Sequence, residues 1–356
     1  MSKIIILGAG VIGLSIGWQL AREGQSVIIF ERDYAGGVTS KAAAGMLAPY
    51  TEASLANSEL FRLGEASLAL YPQFLKELEH DAGHPLTPQP SGTLSIALNI
   101  DDTQWLRWQY DQRKKRDMPV IWLNRDQALQ QEPLLSPQIT AAMWIPTERQ
   151  VDNHQLLDVL LRAFLICGGT ISENEEVTHI AACDNCACGI ETASGACHPG
   201  DVIINATGAW ANSLMEGPVV RPIKGQLLNL RMADNLAIRQ MIRTPRIYLA
   251  PKADGTVRIG ATSEDVGFDL RITAGAVHEL LQGACEAIPA AAEWTLETCL
   301  AGLRPASNDH LPSIGRGKLS GTYQAIGHGR SGFLLAPYTA YLLKQTILEG
   351  SYAYPL

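Results

Sequence analysis

Three glycines near the start of the chain, Gly8, Gly10 and Gly13, fall between an apolar run and a stretch of helical periodicity. Lys3–Leu7 reads as a buried parallel strand, residues 11–23 as a helix, and residues 25–30 as a second strand that closes at Glu31. Strand, Gly-x-Gly-x-x-Gly, helix, strand is the unit that binds the ADP half of a dinucleotide. Gly8 permits the tight turn, Gly10 lets a pyrophosphate approach the backbone, and Gly13 lets helix and strand pack closely. The helix N-terminus offers free N–H groups and a positive dipole end to phosphate. A carboxylate at Glu31 accepts hydrogen bonds from ribose hydroxyls and repels a 2′-phosphate. These residues do not separate NAD from FAD.

The remainder of the 356 residues is long enough for two domains. Residues 55–80, 103–116, 125–132, 153–167, 274–287 and 333–349 read as helices. Strands are expected at 92–98, 141–146, 170–172, 177–181, 189–192, 201–205, 227–230, 247–250, 257–260 and 323–326, with Asp184-Asn185 and Ser194-Gly195 supplying turns. A second glycine cluster, residues 327–332, precedes the last helix. With cofactor signals at both ends and strand-rich stretches between, the expected fold is α/β. A Rossmann-type cofactor domain made of residues 1–80, 150–215 and 300–356 would be interrupted by an α+β, antiparallel-sheet substrate domain made of 81–149 and 216–299. A net charge of −8 argues against a nucleic-acid backbone or an anionic membrane as main partner. The N-terminal apolar run lacks the small-residue cleavage site of a signal peptide, and no stretch reaches the length of a spanning helix, so a cytoplasmic protein is expected. The seven cysteines, odd in number, are expected to be reduced thiols.

Four blocks resemble the D-amino-acid-oxidase-like flavoproteins, and in particular their glycine-oxidase branch of thiamine biosynthesis. They are Gly8–Gly13 with Glu31; residues 39–49 (TSKAAAGMLAP); residues 302–305 (GLRP) with Asp309 and Pro312; and residues 327–337 (GHGRSGFLLAP). Weaker matches are residues 206–210 (ATGAW) and 224–226 (KGQ). The blocks keep family order over nearly the whole chain. The resemblance implies non-covalent FAD in a glutathione-reductase-like Rossmann domain. It places cofactor contacts at Gly8, Gly10, Val11, Ile12, Gly13, Glu31 and Arg32; at Thr39, Ser40, Ala44, Gly45 and Met46; at the Val177 backbone, Thr207 and Gly208; and at His328, Gly329, Ser331, Gly332, Phe333 and Leu334. The chemistry of the blocks is consistent with this. Residues 42–46 are small enough for backbone to lie against an isoalloxazine ring, and Thr39 and Ser40 can donate to phosphate. The N-terminus of the last helix could face the flavin edge where negative charge gathers on reduction.

Arg304 and Arg330 read as loop residues, and guanidinium groups bind carboxylates bidentately. The resemblance makes Arg304 the clamp for a substrate carboxylate, sets Arg330 at the same site, and gives Tyr248 a hydrogen bond to that carboxylate. It implies oxidation of glycine or another small (D-)amino acid or N-methyl amino acid by hydride transfer to flavin N5, with molecular oxygen as acceptor and 2-oxo acid, ammonia and hydrogen peroxide as products. Orientation then does most of the work, so no catalytic acid or base is assigned, and His328 is read as a backbone contact. Two departures from the family pattern put glycine preference in question: Ser263 stands where a methionine is common, and Arg246 where a histidine is. Cys183, Cys186 and Cys188 have metal-like spacing but fall on a hairpin, and no metal is expected there. The related monomeric sarcosine oxidases attach flavin through a cysteine close to this position; none lies at 302–305 or just after it, so the resemblance implies non-covalent FAD. Two rival readings are a dehydrogenase of the same fold serving a quinone and a tRNA-modifying oxidase, the latter disfavoured by charge. The preferred amine and the oligomeric state stay open.

Overall fold

A computed structural model describes residues 3–52 and 58–350. The first strand, Lys3–Leu7, is apolar at nearly every position because it is buried on both faces, with parallel neighbours Ser26–Phe30 and Val202–Asn205. These are the middle strands of a six-stranded sheet. Thr170–Ser172 follows at one edge; Thr322–Ile326 and the antiparallel Ser313–Arg316 follow at the other.

Four helices cover one face: Val11–Arg22, Ser58–Ala82, Asn153–Ile166 and Gly332–Leu348. Their apolar stripes meet Ile4, Ile6 and Ile29 in the largest core. The opposite face carries the antiparallel strands Val177–Cys183, Cys186–Thr192 and Cys197–Pro199, packed through Ile180, Ala187 and Ile190 on Ile5 and Ile203. The turn expected at Asp184-Asn185 forms, both residues taking positive φ (50° and 61°).

A second, eight-stranded sheet runs in the order Thr295–Ser307, Val220–Arg231, Thr256–Gly260, Tyr248–Pro251, Met241–Arg243, Thr93–Ala97, Ala141–Ile145, Ile121–Asn124. It is antiparallel except where Met241–Arg243 lies parallel to Thr93–Ala97. Helix Ala274–Ala287 packs on it around Leu228, Leu249, Ile259 and Leu280. The fold is thus α/β with a Rossmann-type sheet and a mainly antiparallel sheet.

Several elements depart from expectation. Arg304 is not in a loop: it lies on the 13-residue strand Thr295–Ser307, paired along its length with Val220–Arg231. Gly302 and Pro305 read as breakers, yet Gly302 pairs with Gly225 and Pro305 with Pro222. The short strands Ile121–Asn124, Met241–Arg243 and Ser313–Arg316 carry too few residues for a period to show. The helix expected at 55–80 begins at Ser58 in the structure, and residues 53–57 lie outside the described residues.

Candidate active site

One cavity of about 1080 Å³ runs from the N-terminal glycine turn, past residues 39–46, to the face of the second sheet. That is just above the ~300–1,000 Å³ of typical ligand sites. Every cofactor or substrate residue expected from the sequence lines it except Gly13. Gly13 serves packing: a Cβ there would lie 1.9 Å from the Gly8 carbonyl oxygen.

At the N-terminal end, Gly8 takes φ +98°, open to glycine and costly for other residues. Gly10, Val11 and Ile12 bring the first turn of helix Val11–Arg22 to the cavity wall, and a Cβ on Gly10 would stand 3.3 Å from Ser40 Oγ. Ser40 Oγ accepts from the Val11 N–H at 3.1 Å, so its own hydrogen is available to a phosphate. Thr39 differs from expectation: its hydroxyl donates to the Leu303 carbonyl at 3.0 Å, fastening the turn to strand Thr295–Ser307. Glu31 accepts from the Ala9 N–H at 2.8 Å and the Asp33 N–H at 3.1 Å. A carboxylate has about four lone-pair sites, so capacity remains for ribose hydroxyls. Arg32 stacks over Trp210, 3.7 Å from the ring centroid, and forms a wall for the nucleotide end. Glycine turn, helix N-terminus and partly spent carboxylate together fit an ADP moiety. Among the described residues no cysteine lines the cavity.

The middle of the cavity meets residues 42–46. Behind this wall stand two buried cations from the second sheet. Arg258 donates to the carbonyls of Lys41 (2.9 Å) and Ala43 (2.7 Å). Lys252 Nζ donates to those of Ala44 (2.5 Å) and Val151 (2.9 Å). Burial pulls the Lys252 ammonium down to about 7. The N-terminus of helix Gly332–Leu348 faces the cavity opposite, with Ser331 as N-cap residue. The His328 side chain turns away from the cavity chemistry: it is buried, with Nε2 3.0 Å from Thr339 Oγ1, and desolvation depresses its pKa to about 3. It is neutral at any working pH and is no general base.

At the far end the second sheet supplies the cations. Arg304 folds over Gly225, where a Cβ would come within 2.4 Å of Nη2, and donates Nη1 to the Thr262 carbonyl at 3.0 Å. Tyr248 lies over its strand partner Gly260, where a Cβ would be 2.4 Å from the phenolic oxygen. Each functional side chain occupies the space of a glycine on the neighbouring strand.

Two residues that sequence reasoning missed join them. Arg243 pairs across the strands with Tyr248. Its guanidinium hydrogen-bonds Glu52, which ends the short helix Pro49–Glu52. Arg330 Nε forms an ion pair with Glu52 Oε2 at 2.7 Å, and Arg330 Nη2 donates to the Glu52 carbonyl at 3.0 Å. Burial pushes the Glu52 carboxyl up, but Arg243, Arg330 and Arg304 outweigh it, so its pKa is lowered and Glu52 is ionised. The helix is held from behind. Buried Glu148 accepts from the Thr51 N–H and hydroxyl, both at 2.6 Å, and Arg113 Nε donates to the Tyr50 carbonyl at 2.8 Å. Nothing local marks Glu52 in the sequence. Nor does anything mark Arg243, whose three-residue strand is too short for a period to show.

Elsewhere, the Cys183 and Cys188 thiols stand 2.7 Å apart on the exposed hairpin. Among the described residues no group of three or more His, Cys, Asp or Glu could hold a metal, and no helix is long and apolar enough to cross a membrane.

Residues 3–346 match the family described as "DAO: FAD dependent oxidoreductase". The chain is 34% identical over 349 residues to the bifunctional protein ThiO/ThiG of Trichormus variabilis, covering 97% of this chain and 52% of that one. It thus spans about half the length of the curated relatives that it matches first. The crystal structure of glycine oxidase from Geobacillus kaustophilus is similar with a TM-score of 0.92 and 31% identity, over 99% of this chain and 96% of that one. That of iminodiacetate oxidase from Chelativorans sp. BNC1 is similar with a TM-score of 0.89 and 28% identity, over 99% and 97%.

Proposed function

This chain belongs to the DAO family of FAD-dependent oxidoreductases, and from that premise we propose that it oxidises the carbon–nitrogen bond of a small amino acid or N-substituted amino acid, with molecular oxygen as final acceptor. The products would be a 2-oxo acid, an amine or ammonia, and hydrogen peroxide. One observation carries this reading: Arg304, Arg330 and Tyr248, from two strands and the second glycine loop, converge at one end of the cavity whose other end fits ADP. Guanidinium and phenol together are carboxylate-binding chemistry. FAD, when bound, supplies the two-electron acceptor for the hydride on the substrate α-carbon.

The protein's own residues bind and orient. Glu31, the Gly8–Gly13 turn and Ser40 would hold the nucleotide end. Residues 42–46, 331 and 332 would hold the ring, and Arg304 with Tyr248 the substrate carboxylate. Fixing the carboxylate fixes the α-carbon relative to the ring, and such positioning is worth orders of magnitude in rate. His328, neutral and turned toward Thr339, takes no proton. The substrate therefore has to enter, or become, the neutral amine by exchange with solvent.

The test is anaerobic bleaching of the bound flavin by glycine, sarcosine, D-alanine and D-proline, followed by peroxide yield per imine in air. Bleaching with one peroxide per imine is expected. No bleaching by any amine overturns the substrate class. Bleaching with little peroxide, but with intact reduction of a quinone or dye, overturns the oxygen acceptor.

A further inference from the structure

Three of the seven cysteines, Cys183, Cys186 and Cys188, crowd the tip of the hairpin formed by Val177–Cys183 and Cys186–Thr192. Asp184 and Asn185 turn the chain, which sets Cys186 opposite Cys183. In a regular ladder residues two apart share a face, so Cys188 would lie diagonal to Cys183 at ~7–8 Å. The ladder is not regular there. Ala187 pairs with Ala182 and Gly189 with Ala181, so Cys188 is an extra residue, the bulge of its strand. A bulge bends the strand and re-aims a side chain. Here it brings the Cys188 sulfur to 2.7 Å from that of Cys183. Ile180, Ala187 and Ile190 face inward and hold the hairpin on Ile5 and Ile203. The sulfurs lie on the outer face, Cys183 exposed and Cys188 half-buried.

Four other thiols have different neighbours. Cys167 faces Asp81, Cys285 and Cys299 lie against the core of the second sheet, and Cys197 is across the ladder from Glu191. We propose that Cys183 and Cys188 form a modification site, a dithiol that hydrogen peroxide closes to a disulfide and a thiol reductant reopens. Cys183, the more exposed, attacks, and Cys188 resolves. The Cys183 thiolate bonds to one peroxide oxygen, the O–O bond breaks, and a sulfenic acid and hydroxide result. The Cys188 sulfur then bonds to the Cys183 sulfur, the S–O bond breaks, and the oxygen leaves as water with the Cys188 proton. Two thiols are oxidised and one peroxide is reduced to two waters. The hydrogen bond to Cys183 pushes the Cys188 thiol up, so Cys188 keeps its proton for that second step. What the geometry decides is the product. A sulfenic acid with no thiol beside it goes on to the irreversible sulfinic acid, whereas a sulfur at 2.7 Å captures it first. The amine-oxidation reading above makes peroxide at each turnover, but the site itself does not depend on that reading.

The experiment uses the full-length, FAD-loaded protein, reduced and freed of reductant, then treated with hydrogen peroxide and quenched with iodoacetamide. Peptide mass spectrometry maps the cysteines. One bridge joining Cys183 to Cys188 within a single chain is expected, with the other cysteines alkylated and the bridge lost on dithiothreitol. Cys188→Ser is expected to leave Cys183 as a sulfenic acid that dimedone traps, or as the sulfinic acid, with at least tenfold less bridge. Neither sulfur lines the cavity, so this variant should keep wild-type flavin content and turnover, which also shows that it folds. Should it not fold, the wild-type map decides. A bridge through Cys186, a bridge between two chains, sulfinic acid on Cys183 of the wild type, or thiols all free after peroxide overturns the pair. Substrate turnover in air then replaces the added peroxide, and a bridge that catalase abolishes is expected. A bridge with added peroxide, but none where turnover yields peroxide, overturns the enzyme's own product as the oxidant. Turnover that yields no peroxide overturns the oxygen acceptor proposed above, while the added-peroxide arm still decides the pair.

Discussion

Gly225→Ala should cripple substrate binding without touching the substrate. A Cβ at residue 225 would stand 2.4 Å from Arg304 Nη2, 2.6 Å from Cζ and 2.7 Å from Nη1. Ordinary contact begins near 3.4 Å, so the guanidinium has to move by about 1 Å. The strand itself need not, because the obstructed group is the far end of a flexible side chain and Gly225 does not take a positive φ. Moving by that much breaks the 3.0 Å bond to the Thr262 carbonyl and misaims the carboxylate clamp. A lost charge-assisted hydrogen bond is worth ~1.5–3 kcal/mol, which is roughly 10–100-fold in affinity. Misplacement of the substrate by ~1 Å can cost ~100-fold in rate. Anaerobic stopped-flow should therefore show the substrate dissociation constant rising about 10–100-fold and the flavin reduction rate falling as well. FAD content should be unchanged and Tm no lower than wild type, since Ala for Gly in an extended strand removes unfolded-state freedom. Arg304→Ala alone should be at least as severe, and the double variant no worse than Arg304→Ala, because Gly225 acts only through that guanidinium. Additive losses in the double variant, or wild-type kinetics in Gly225→Ala, would refute the reasoning.

Three other outcomes follow from single residues. Glu31→Gln removes the charge that accepts from the Ala9 N–H at 2.8 Å and, as proposed, from ribose, so the FAD dissociation constant should rise about tenfold or more in a fluorescence titration; an unchanged constant would show that Glu31 serves the turn alone. His328, depressed to about 3 by burial, should contribute no step to the pH dependence of kcat/KM between pH 5 and 9, so His328→Asn should keep the wild-type profile; loss of an inflection near neutrality would contradict this. Lys252 titrates near 7 when folded but near 10.5 when unfolded, so between those values the unfolded chain binds more protons and stability rises with pH. The difference in Tm between wild type and Lys252→Met, followed from pH 6.5 to 10, should shift in favour of wild type as pH climbs; a flat difference would mean that the carbonyls of Ala44 and Val151 hold the ammonium at its ordinary pKa.

The two halves of the site were unequally legible in the sequence, for a physical reason. The nucleotide end uses main chain, and main-chain geometry writes itself locally: Gly8, Gly10 and Gly13 answer to a turn, an approach and a helix–strand contact within one βαβ unit. The reacting end uses side chains that long-range strand pairing brings together. Arg304 faces the cavity only because Thr295–Ser307 pairs with Val220–Arg231, and the first of these strands hides its character. Thr295, Leu296, Glu297 and Thr298 are exposed, so no apolar alternation announces it. Glu52 gains its meaning from Arg243 and Arg330, 191 and 278 residues away, and nothing near it in sequence could supply that.

Glycine read as punctuation is what set Arg304 in a loop. A glycine inside a strand also marks a place where something else must pass. Gly225 and Gly260 admit the Arg304 guanidinium and the Tyr248 ring, and Gly302 admits the turn at Thr39–Ala42, whose backbone a Cβ would meet at 3.3 Å. Only the third of these concerns the cofactor wall; the first two shape the substrate site. The glycines of the second sheet therefore hold the same kind of information as the N-terminal motif, displaced by one strand. Each marks the neighbour whose functional side chain fills its place. Arg243 has no such glycine opposite it, since its strand partner is Tyr248 itself. Its position depends instead on Glu52, whose carboxylate its guanidinium meets from 191 residues away.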